Sequence, residues 1–422
     1  MSSLRVEAAR RGGWRRRLAG CVFTCAILLA GFLPAGPAQA QEILRPELGR
    51  PLKAAEELIK ARRYKEALAK VREAEAVPNR TAQENVVLER MRMAAASGAD
   101  DVDMAVRAFD ALSASNQLAP AERLRMIESI AGGYYREREY TRAAQWAQRH
   151  LREGGSNPAM RTLLLQSQYL AGDYAGVLKE LSADLQAAER SNSAPPEDRL
   201  KLMLNAALKA NDSSAYVRAM EKLVEFYPRQ EYWLELLGRL QRKPGFSDRL
   251  ALDVHRLSLA TGSMTSADDF MEMAQLALQA GLGAEADQVL QRGFAGGVLG
   301  KGPQAERHQR LRALVAKRLA EEQQGRAEAE REALATRDGN ALLPIGMNLI
   351  YQGQTARGLE LMQQAIAKGD VKRPEDAKLH LGIGYLLAGD KAKAMATLKI
   401  VSGNDGTADL ARLWMLYARR KG

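Results

Sequence analysis

The chain has 422 residues, with 62 Lys and Arg against 51 Asp and Glu and a formal net charge of +11. Both cysteines, Cys21 and Cys25, lie in the first 40 residues, so the rest of the chain has no disulfide, no thiolate nucleophile and no cysteine metal site. Without those residues, which include six arginines and one glutamate, the net charge is +6, a mild value that does not favour nucleic acid as a partner.

The first predicted element is a cleaved secretory signal peptide over residues 1–40. A basic leader from Arg5 to Arg17 precedes an apolar run from Leu18 to Leu33, and the segment ends in Ala-Gln-Ala at Ala40. This is the three-part plan of an export signal, with cleavage expected after Ala40. The apolar run is shorter than the roughly 20 residues of a spanning helix, so no integral membrane span is expected after cleavage. The sequence therefore predicts a periplasmic protein, with outer-membrane association as an alternative placement.

After the leader, one local phrase returns roughly every 34 to 39 residues, a period typical of helical repeats. The best copies are Glu-Arg-Glu-Tyr-Thr-Arg-Ala-Ala and Ala-Gly-Asp-Tyr-Ala-Gly-Val-Leu, whose tyrosines are Tyr140 and Tyr174. Large and small apolar residues recur at helical spacing around the first of these: Ile127, Ile130, Ala131, Tyr134, Ala143 and Ala147. This pattern resembles the tetratricopeptide repeat, which consists of two antiparallel helices, A and B.

The resemblance implies an all-α fold, a right-handed superhelical solenoid of antiparallel helix pairs with roughly ten repeats. Two Gly-, Pro- or Ser-rich linkers suggest three groups of repeats, 41–190, 191–300 and 301–422, although these linkers could equally be long loops between repeats. The last group ends in a predicted capping helix from Asp409 to Arg419, which would cover the final apolar face. The charged stretch from Val315 to Thr336 is interpreted as a degenerate repeat or a solvated helix, with a docking helix as an alternative.

No motif in the sequence indicates catalysis. The four histidines His150, His255, His308 and His380 lack metal-ligand spacing, and each is predicted to be a partly exposed helix residue. The glycine-rich run at 296–302 lacks the first Gly and the final Ser or Thr of a phosphate-binding loop. We therefore expect no enzymatic activity, no metal and no cofactor. The alternative is a peptidoglycan-active or other hydrolase that uses scattered carboxylates such as Asp173 and Glu221.

The resemblance also implies a concave groove lined by fixed positions of helix A. Carried over by register, the candidate binding residues are Arg125, Tyr135, Arg136, Gln166, Tyr169, Lys201, Asn205, Lys209, Gln241 and Arg242. Aromatic, amide and basic groups alternate there, which suits an extended peptide with acidic groups. Lys201 and Asn205 occupy the places that start the family's carboxylate clamp. Glu231 and Glu235 stand where its cations are wanted, so such a clamp is not expected.

Two phrases in the second half support a narrower resemblance. Glu-Tyr-Trp-Leu-Glu-Leu at 231–236 and Lys-Gly-Asp-Val-Lys-Arg-Pro at 368–374 are similar to stretches of periplasmic repeat proteins encoded beside TonB-type energy-transduction systems. The resemblance implies a non-catalytic periplasmic scaffold or adaptor that joins other envelope proteins, for example in a TonB-type transport or assembly system. The alternative is a periplasmic chaperone for outer-membrane or secreted clients. No pattern indicates an oligomeric state.

Overall fold

The computed structural model describes residues 44–420, and all regular structure in that range is helical. The predicted signal peptide, 1–40, lies outside the described residues. The chain forms two compact units, the first ending at Met126 and the second beginning at Ile127. This division differs from the three groups of repeats predicted from the linkers, whose boundaries at 190 and 300 stay predictions.

The first unit contains four complete helices and the start of a fifth. They are α1 (Pro46–Lys60), α2 (Tyr64–Glu75), α3 (Ala82–Gly98), α4 (Val102–Ala114) and α5 (Pro120–Arg136), which crosses the division. Helix α3 begins in a capping box, because the Glu84 backbone N–H donates to Thr81 Oγ1 at 3.1 Å and the Thr81 N–H donates to Glu84 Oε2 at 2.9 Å. Arg45, just before α1, donates to both oxygens of Glu84 at 2.8 Å. One carboxylate therefore joins the starts of α1 and α3.

This carboxylate should make the first unit sensitive to acid. The Arg45 side chain and the Thr81 backbone lower the pKa of Glu84 from 4.5 to about 2. Because the folded pKa is depressed, its contribution to stability is present above about pH 4.5 and is lost as the pH falls towards 2. We expect hydrogen exchange in the first turn of α3 to accelerate across that window. In Glu84→Gln this window should disappear, and an unchanged acid profile would contradict the assignment.

The second unit continues with fifteen α-helices and one 3₁₀ turn, Asp248–Leu250, among the described residues. The α-helices are α6 (Tyr140–Arg152), α7 (Pro158–Leu170), α8 (Tyr174–Arg190), α9 (Glu197–Ala210), α10 (Ser213–Phe226), α11 (Gln230–Gln241), α12 (Ala251–Thr261), α13 (Ala267–Gln279), α14 (Gly283–Ala295), α15 (Ala305–Ala335), α16 (Leu342–Tyr351), α17 (Thr355–Lys368), α18 (Pro374–Leu387), α19 (Lys391–Lys399) and α20 (Thr407–Arg420). Most are paired across short turns, which confirms the predicted architecture of stacked antiparallel helix pairs.

The repeated Gly-Asp phrase forms the turn between the two helices of a pair. Gly172 has a φ of +82°, a conformation that favours glycine, and the following Asp173 accepts a hydrogen bond from the Gly176 N–H at 2.8 Å. The last pair repeats this arrangement, with Gly389 at +81° and Asp390 accepting from the Lys393 N–H at 2.9 Å. In these two turns the phrase supplies a left-handed residue followed by a capping side chain.

Small residues lie where paired helices cross closely. In the α16–α17 pair, a Cβ atom on Gly346 would lie 2.7 Å from the carbonyl oxygen of Gly358 and 2.6 Å from Met362 Cγ. Neither distance is compatible with a side chain, so the two backbones approach each other only because both positions are glycine.

Helix α12 is enclosed by the helices that follow it. All six residues from Leu252 to Leu257 are buried, so this part of the helix is enclosed on every side. The predicted capping helix forms as α20, but it packs against α10 and α12 as well as α18 and α19. Trp414 and Leu410 of α20 are buried in the same apolar core as Val254 of α12. The C-terminal repeats thus fold back onto the middle of the chain.

An ion pair network reinforces this closure. Arg249, in the 3₁₀ turn before α12, lies 2.9 Å from Asp376 of α18 and 2.6 Å from Asp405, which precedes α20. The Ser247 N–H donates to the Asp405 carbonyl at 2.9 Å. Arg412 of α20 also pairs with Glu221 of α10. The closure therefore combines an apolar core with partly exposed charges around it.

The charged stretch predicted at 315–336 is part of α15, a single helix of 31 residues. Only His308, Leu311, Val315 and Ala333 of this helix are buried. No turn interrupts it, so it is a solvated helix and not a degenerate helix pair.

Candidate functional site

The predicted groove residues lie on the first helices of successive pairs, α5, α7, α9 and α11. Arg125 belongs to the first unit and the other nine to the second, so the site described below is that of the second unit. Five of the ten side chains are exposed and five are half-buried. The exposed ones are Arg125, Arg136, Lys209, Gln241 and Arg242. The half-buried ones are Tyr135, Gln166, Tyr169, Lys201 and Asn205.

The two tyrosines of this set pack against the turn tyrosines. Tyr135 and Tyr140 meet edge to face with ring centroids 5.6 Å apart, and Tyr169 and Tyr174 do so at 5.4 Å. Burial, and then the neighbouring Tyr174, raise the pKa of Tyr169. An aromatic pair of this geometry contributes about 0.5–1.5 kcal/mol beyond its buried area. Tyr135 and Tyr169 therefore contribute to folding as well as lining the predicted groove.

Two of the three polar candidates on α9, Lys201 and Asn205, are engaged within the fold. Lys201 Nζ lies 2.9 Å from Glu197 Oε1, which also accepts a hydrogen bond from the Tyr232 hydroxyl at 2.6 Å. The Glu197 contact raises the pKa of Lys201, so the side chain stays charged. Asn205 donates to the Lys201 carbonyl oxygen at 3.0 Å. A ligand that approached Lys201 would therefore meet a lysine that is already paired, whereas Lys209 is exposed.

Three leucines on the same helices are exposed, and the sequence analysis missed them. Leu170 on α7 is 48% exposed, Leu208 on α9 is 49% exposed and Leu234 on α11 is 60% exposed. Each occupies a lining position of the register: Leu170 and Leu208 are next to the chosen Tyr169 and Lys209, and Leu234 lies two turns before the chosen Gln241. The register alone could have identified them, but candidates were restricted to groups that form directional contacts.

In the last two helix pairs, α16–α17 and α18–α19, positions equivalent to the lining residues of α9 are buried. Positions in different pairs are matched by their distance in sequence from the first residue of the second helix of the pair. By this count, Lys201 and Asn205 correspond to Leu379 and Ile383 on α18. Both are buried in the core that contains α12 and α20. On α16, Met347 takes the place of Asn205 and is also buried. The lining face is therefore open on α7, α9 and α11, whereas most of it is covered by the chain itself on α16 and α18.

A buried charge network lies where α12 meets the later helices. Arg256 donates to both oxygens of Glu285 at 2.7 and 2.6 Å and to Asp253 Oδ1 at 2.6 Å. His380 Nε2 lies 2.9 Å from the same Asp253 oxygen, and the Tyr351 hydroxyl donates to Glu285 at 2.9 Å. These contacts join α12, α14, α16 and α18.

The neighbouring groups of this network stabilise one another's charge states. Burial alone would raise the pKa of Asp253, but His380 and Arg256 outweigh it and keep that pKa below its ordinary range. Burial and then the Glu285 carboxylate raise the pKa of Tyr351 well above its ordinary value. Every carboxylate in the network therefore has a cationic or hydroxyl donor. The arrangement orients and packs helices and resembles a structural ion cluster more than a reaction centre.

The prediction that the histidines are partly exposed is wrong for three of the four. His150, His255 and His308 are buried. His150 Nε2 lies 2.8 Å from Glu128 Oε1, and His308 Nδ1 accepts a hydrogen bond from the Gly300 N–H at 3.1 Å. These hydrogen-bonding partners, which lie nearby in sequence or on the other helix of the same pair, offset the cost of burying an imidazole ring. The local sequence pattern did not reveal them.

The two carboxylates named for a hydrolase have structural partners. Asp173 caps α8, and Glu221 is paired with Arg412 of α20. Within residues 44–420 there is no group of three or more His, Cys, Asp or Glu side chains that could hold a metal. In the same range, every helix is too short or too polar to cross a membrane.

Comparisons with known proteins agree with the helical repeat architecture but add little to it. No protein-family profile matches the chain, and no curated protein matches it. Among solved structures, the chain is similar to yeast Tom70, with 11% identity, coverage of 89% of this chain and 96% of that one, and a TM-score of 0.23. It is also similar to the tetratricopeptide-repeat domain of P58(IPK), at 13% identity, 88% and 97% coverage and a TM-score of 0.21. The APC/C hetero-tetramer Cut9–Hcn1 matches at 13% identity, 87% and 83% coverage and a TM-score of 0.20.

The turns, close crossings and helix contacts of the chain itself define it as a stack of antiparallel helix pairs.

Proposed function

We propose that the protein is a non-catalytic scaffold that binds an extended segment of another protein across α7, α9 and α11. The observation that carries the proposal is the open lining face of these helices. Leu170, Leu208 and Leu234 are exposed there, while most of the equivalent face of the last pairs is buried. Large apolar side chains exposed on successive helices are typical of binding surfaces.

The charges beside the leucines indicate the chemistry of the partner. Lys209 follows Leu208 directly, and Arg242 ends α11; both are exposed. Cations beside apolar anchors favour a peptide in which acidic and apolar residues alternate, because charge-assisted contacts add orientation to apolar burial. We therefore propose an extended acidic and apolar segment as the ligand.

The proposed setting is the periplasm. It is supported by the export signal predicted at 1–40 and by the two phrases at 231–236 and 368–374. In that setting the protein is an adaptor between envelope proteins, and a TonB-type transport or assembly system is the complex that those phrases favour. Sequencing the N-terminus of the exported protein tests this: a start at Gln41 is expected, and a chain that retains its leader in the cytoplasm would contradict it.

The exposed leucines also favour a second candidate, a chaperone for outer-membrane or secreted clients. Crosslinking in cells followed by mass spectrometry separates the two functions. An adaptor should give one partner in a fixed ratio, whereas a chaperone should give many unfolded clients. Turnover of peptidoglycan that depends on a single carboxylate would overturn both and support a hydrolase.

Changing the open face should affect binding more than folding. The double variant Leu170→Asp, Leu208→Asp is expected to lose about 2–4 kcal/mol of binding to the crosslinked partner if both leucines are anchors. Its melting temperature should change little, because substitutions of exposed residues away from special features usually lie within about 0.5 kcal/mol. Isothermal titration calorimetry and thermal unfolding measure the two effects.

Leu387 provides a matched control. It is 49% exposed and has the same register position as Leu170, but it lies on α18, where the rest of the lining face is buried. Leu387→Asp should leave binding unchanged. Equal losses from the control and the double variant, or none from either, would show that the partner docks elsewhere.

A further inference from the structure

The outward face of α15 has no role in the fold described above. The helix is anchored on one side by four buried residues, and from Ala316 to Glu332 none is buried. Arg310 and Lys317 on the opposite side are 74% and 75% exposed. At about 1.5 Å per residue, the helix presents an outer ridge more than about 40 Å long.

The charges along this helix are separated by sign. From 306 to 318 it carries five cations and one carboxylate: Arg307, Arg310, Arg312, Lys317, Arg318 and Glu306. From 321 to 332 it carries five carboxylates and two cations: Glu321, Glu322, Glu328, Glu330, Glu332, Arg326 and Arg331. The first half is therefore basic and the second half is acidic.

The inward charges of the acidic half contact other helices, whereas the outward ion pairs lie within α15 itself. Arg326 donates to Gln352 at 2.9 Å, and Glu330 accepts from Arg357 at 3.0 Å. On the outward side, Glu321 lies 3.2 Å from Arg318 and 4.0 Å from Lys317, and Arg310 lies 3.5 Å from Glu306; each pair spans one turn of the same helix. An exposed pair of this kind contributes little to the stability of the chain that contains it.

A helix with one basic and one acidic half is complementary to an antiparallel copy of itself. A two-fold interface brings the same patch of both copies together, so each residue pair occurs twice. If the two-fold axis passes the helix at the level of Leu319, Arg310 of one copy lies opposite Glu328 of the other, and Lys317 lies opposite Glu321. A single axis therefore brings both pairs together. The four residues are separated by close to whole helical turns of about 3.6 residues, so all of them lie on the outward side of the helix.

We propose that the outward face of α15 is a self-association surface on which a second copy of this chain binds antiparallel. The surface is polar and narrow, so the dimer is weak and sensitive to salt, since exposed charges are screened within about 10 Å at moderate ionic strength. The dimer would present two copies of the open leucine face, but the proposal does not depend on the ligand of that face.

Sedimentation equilibrium of the chain without residues 1–40 tests the proposal. We expect a monomer–dimer equilibrium at low salt whose dissociation constant rises roughly tenfold or more at high salt. Arg310→Glu with Lys317→Glu should abolish the dimer, because acidic residues then face acidic ones. Glu321→Lys with Glu328→Lys should abolish it as well.

Mixing the two double variants should restore association, now as a heterodimer, because every opposing pair again has opposite charge. A control with the same change in net charge, Lys393→Glu with Lys399→Glu on α19, should dimerise like the wild type. Circular dichroism should be unchanged in all variants, since the substituted side chains are exposed. A wild-type chain that stays monomeric at low salt and high concentration, or double variants that do not associate when mixed, would overturn the proposal.

Discussion

Replacement of Arg256 by alanine is expected to destabilise the second unit by about 3–5 kcal/mol. The guanidinium is 2% exposed and is the only cation in contact with Glu285 among the described residues, while it shares Asp253 with His380. Its removal would leave the fully buried Glu285 carboxylate with the Tyr351 hydroxyl as its remaining donor. An uncompensated buried charge of this kind costs several kcal/mol.

Urea denaturation monitored by tryptophan fluorescence measures this effect. Arg292→Ala is the matched control: it removes the same side chain from an exposed position on α14, and its effect should be within about 0.5 kcal/mol. A loss below about 1 kcal/mol for Arg256→Ala would show that water or rearranged side chains neutralise Glu285, and the network would then not be what holds α12 to α14.

Replacement of Trp414 by alanine is expected to cost about 3–5 kcal/mol, as for other large aromatic side chains removed from a core. Trp414 is buried in α20 and packs edge to face on Tyr417 with ring centroids 5.5 Å apart. Because α20 packs on α10 and α12, hydrogen exchange should accelerate in those helices, far away in sequence. The helices of the first unit should be unaffected.

Ile400→Ala is the control for this prediction, because Ile400 lies in the same C-terminal region but is 62% exposed. It should change neither stability nor exchange. If Trp414→Ala accelerates exchange only in α19 and α20, α20 is a simple cap on the last pair, and the packing on α10 and α12 contributes little.

The sequence predicted the local structure well because the repeat is a local pattern. Gly172 and Asp173 specify a turn through their own backbone preferences, and Ala143 and Ala147 mark a helix crossing through their size. Both kinds of signal lie within one helix pair. The all-α class and the helix pairing could therefore be predicted without any information from distant residues.

The closure of the second unit could not be predicted in this way. Nothing near Val254 indicates that Leu410 and Trp414 will pack against it, and the charged residues Asp253 and Arg256 suggest an exposed helix. Their partners, Glu285 and His380, come from other pairs. The same limit led to the error on the three buried histidines, because burial depends on which helices pack together.

The fold-back of α20 has a consequence for how the chain folds. Arrays of this type usually form contacts only between neighbouring repeats, so folding can begin anywhere and spread. Here Arg419 meets Glu225, 194 residues earlier, at 3.3 Å, and Arg249 meets Asp376, 127 residues later. Contacts of such long range slow folding, because a large loop must close before any of them forms.

Helices α10 and α12 therefore complete their packing only when the last 14-residue helix has arrived. A chain that ends before Thr407 would retain nearly all its helix pairs but would expose the apolar faces of both helices. We expect such a truncated chain to be helical, susceptible to proteases near α12 and prone to aggregation. The integrity of the middle of this protein is thus determined at its C-terminus.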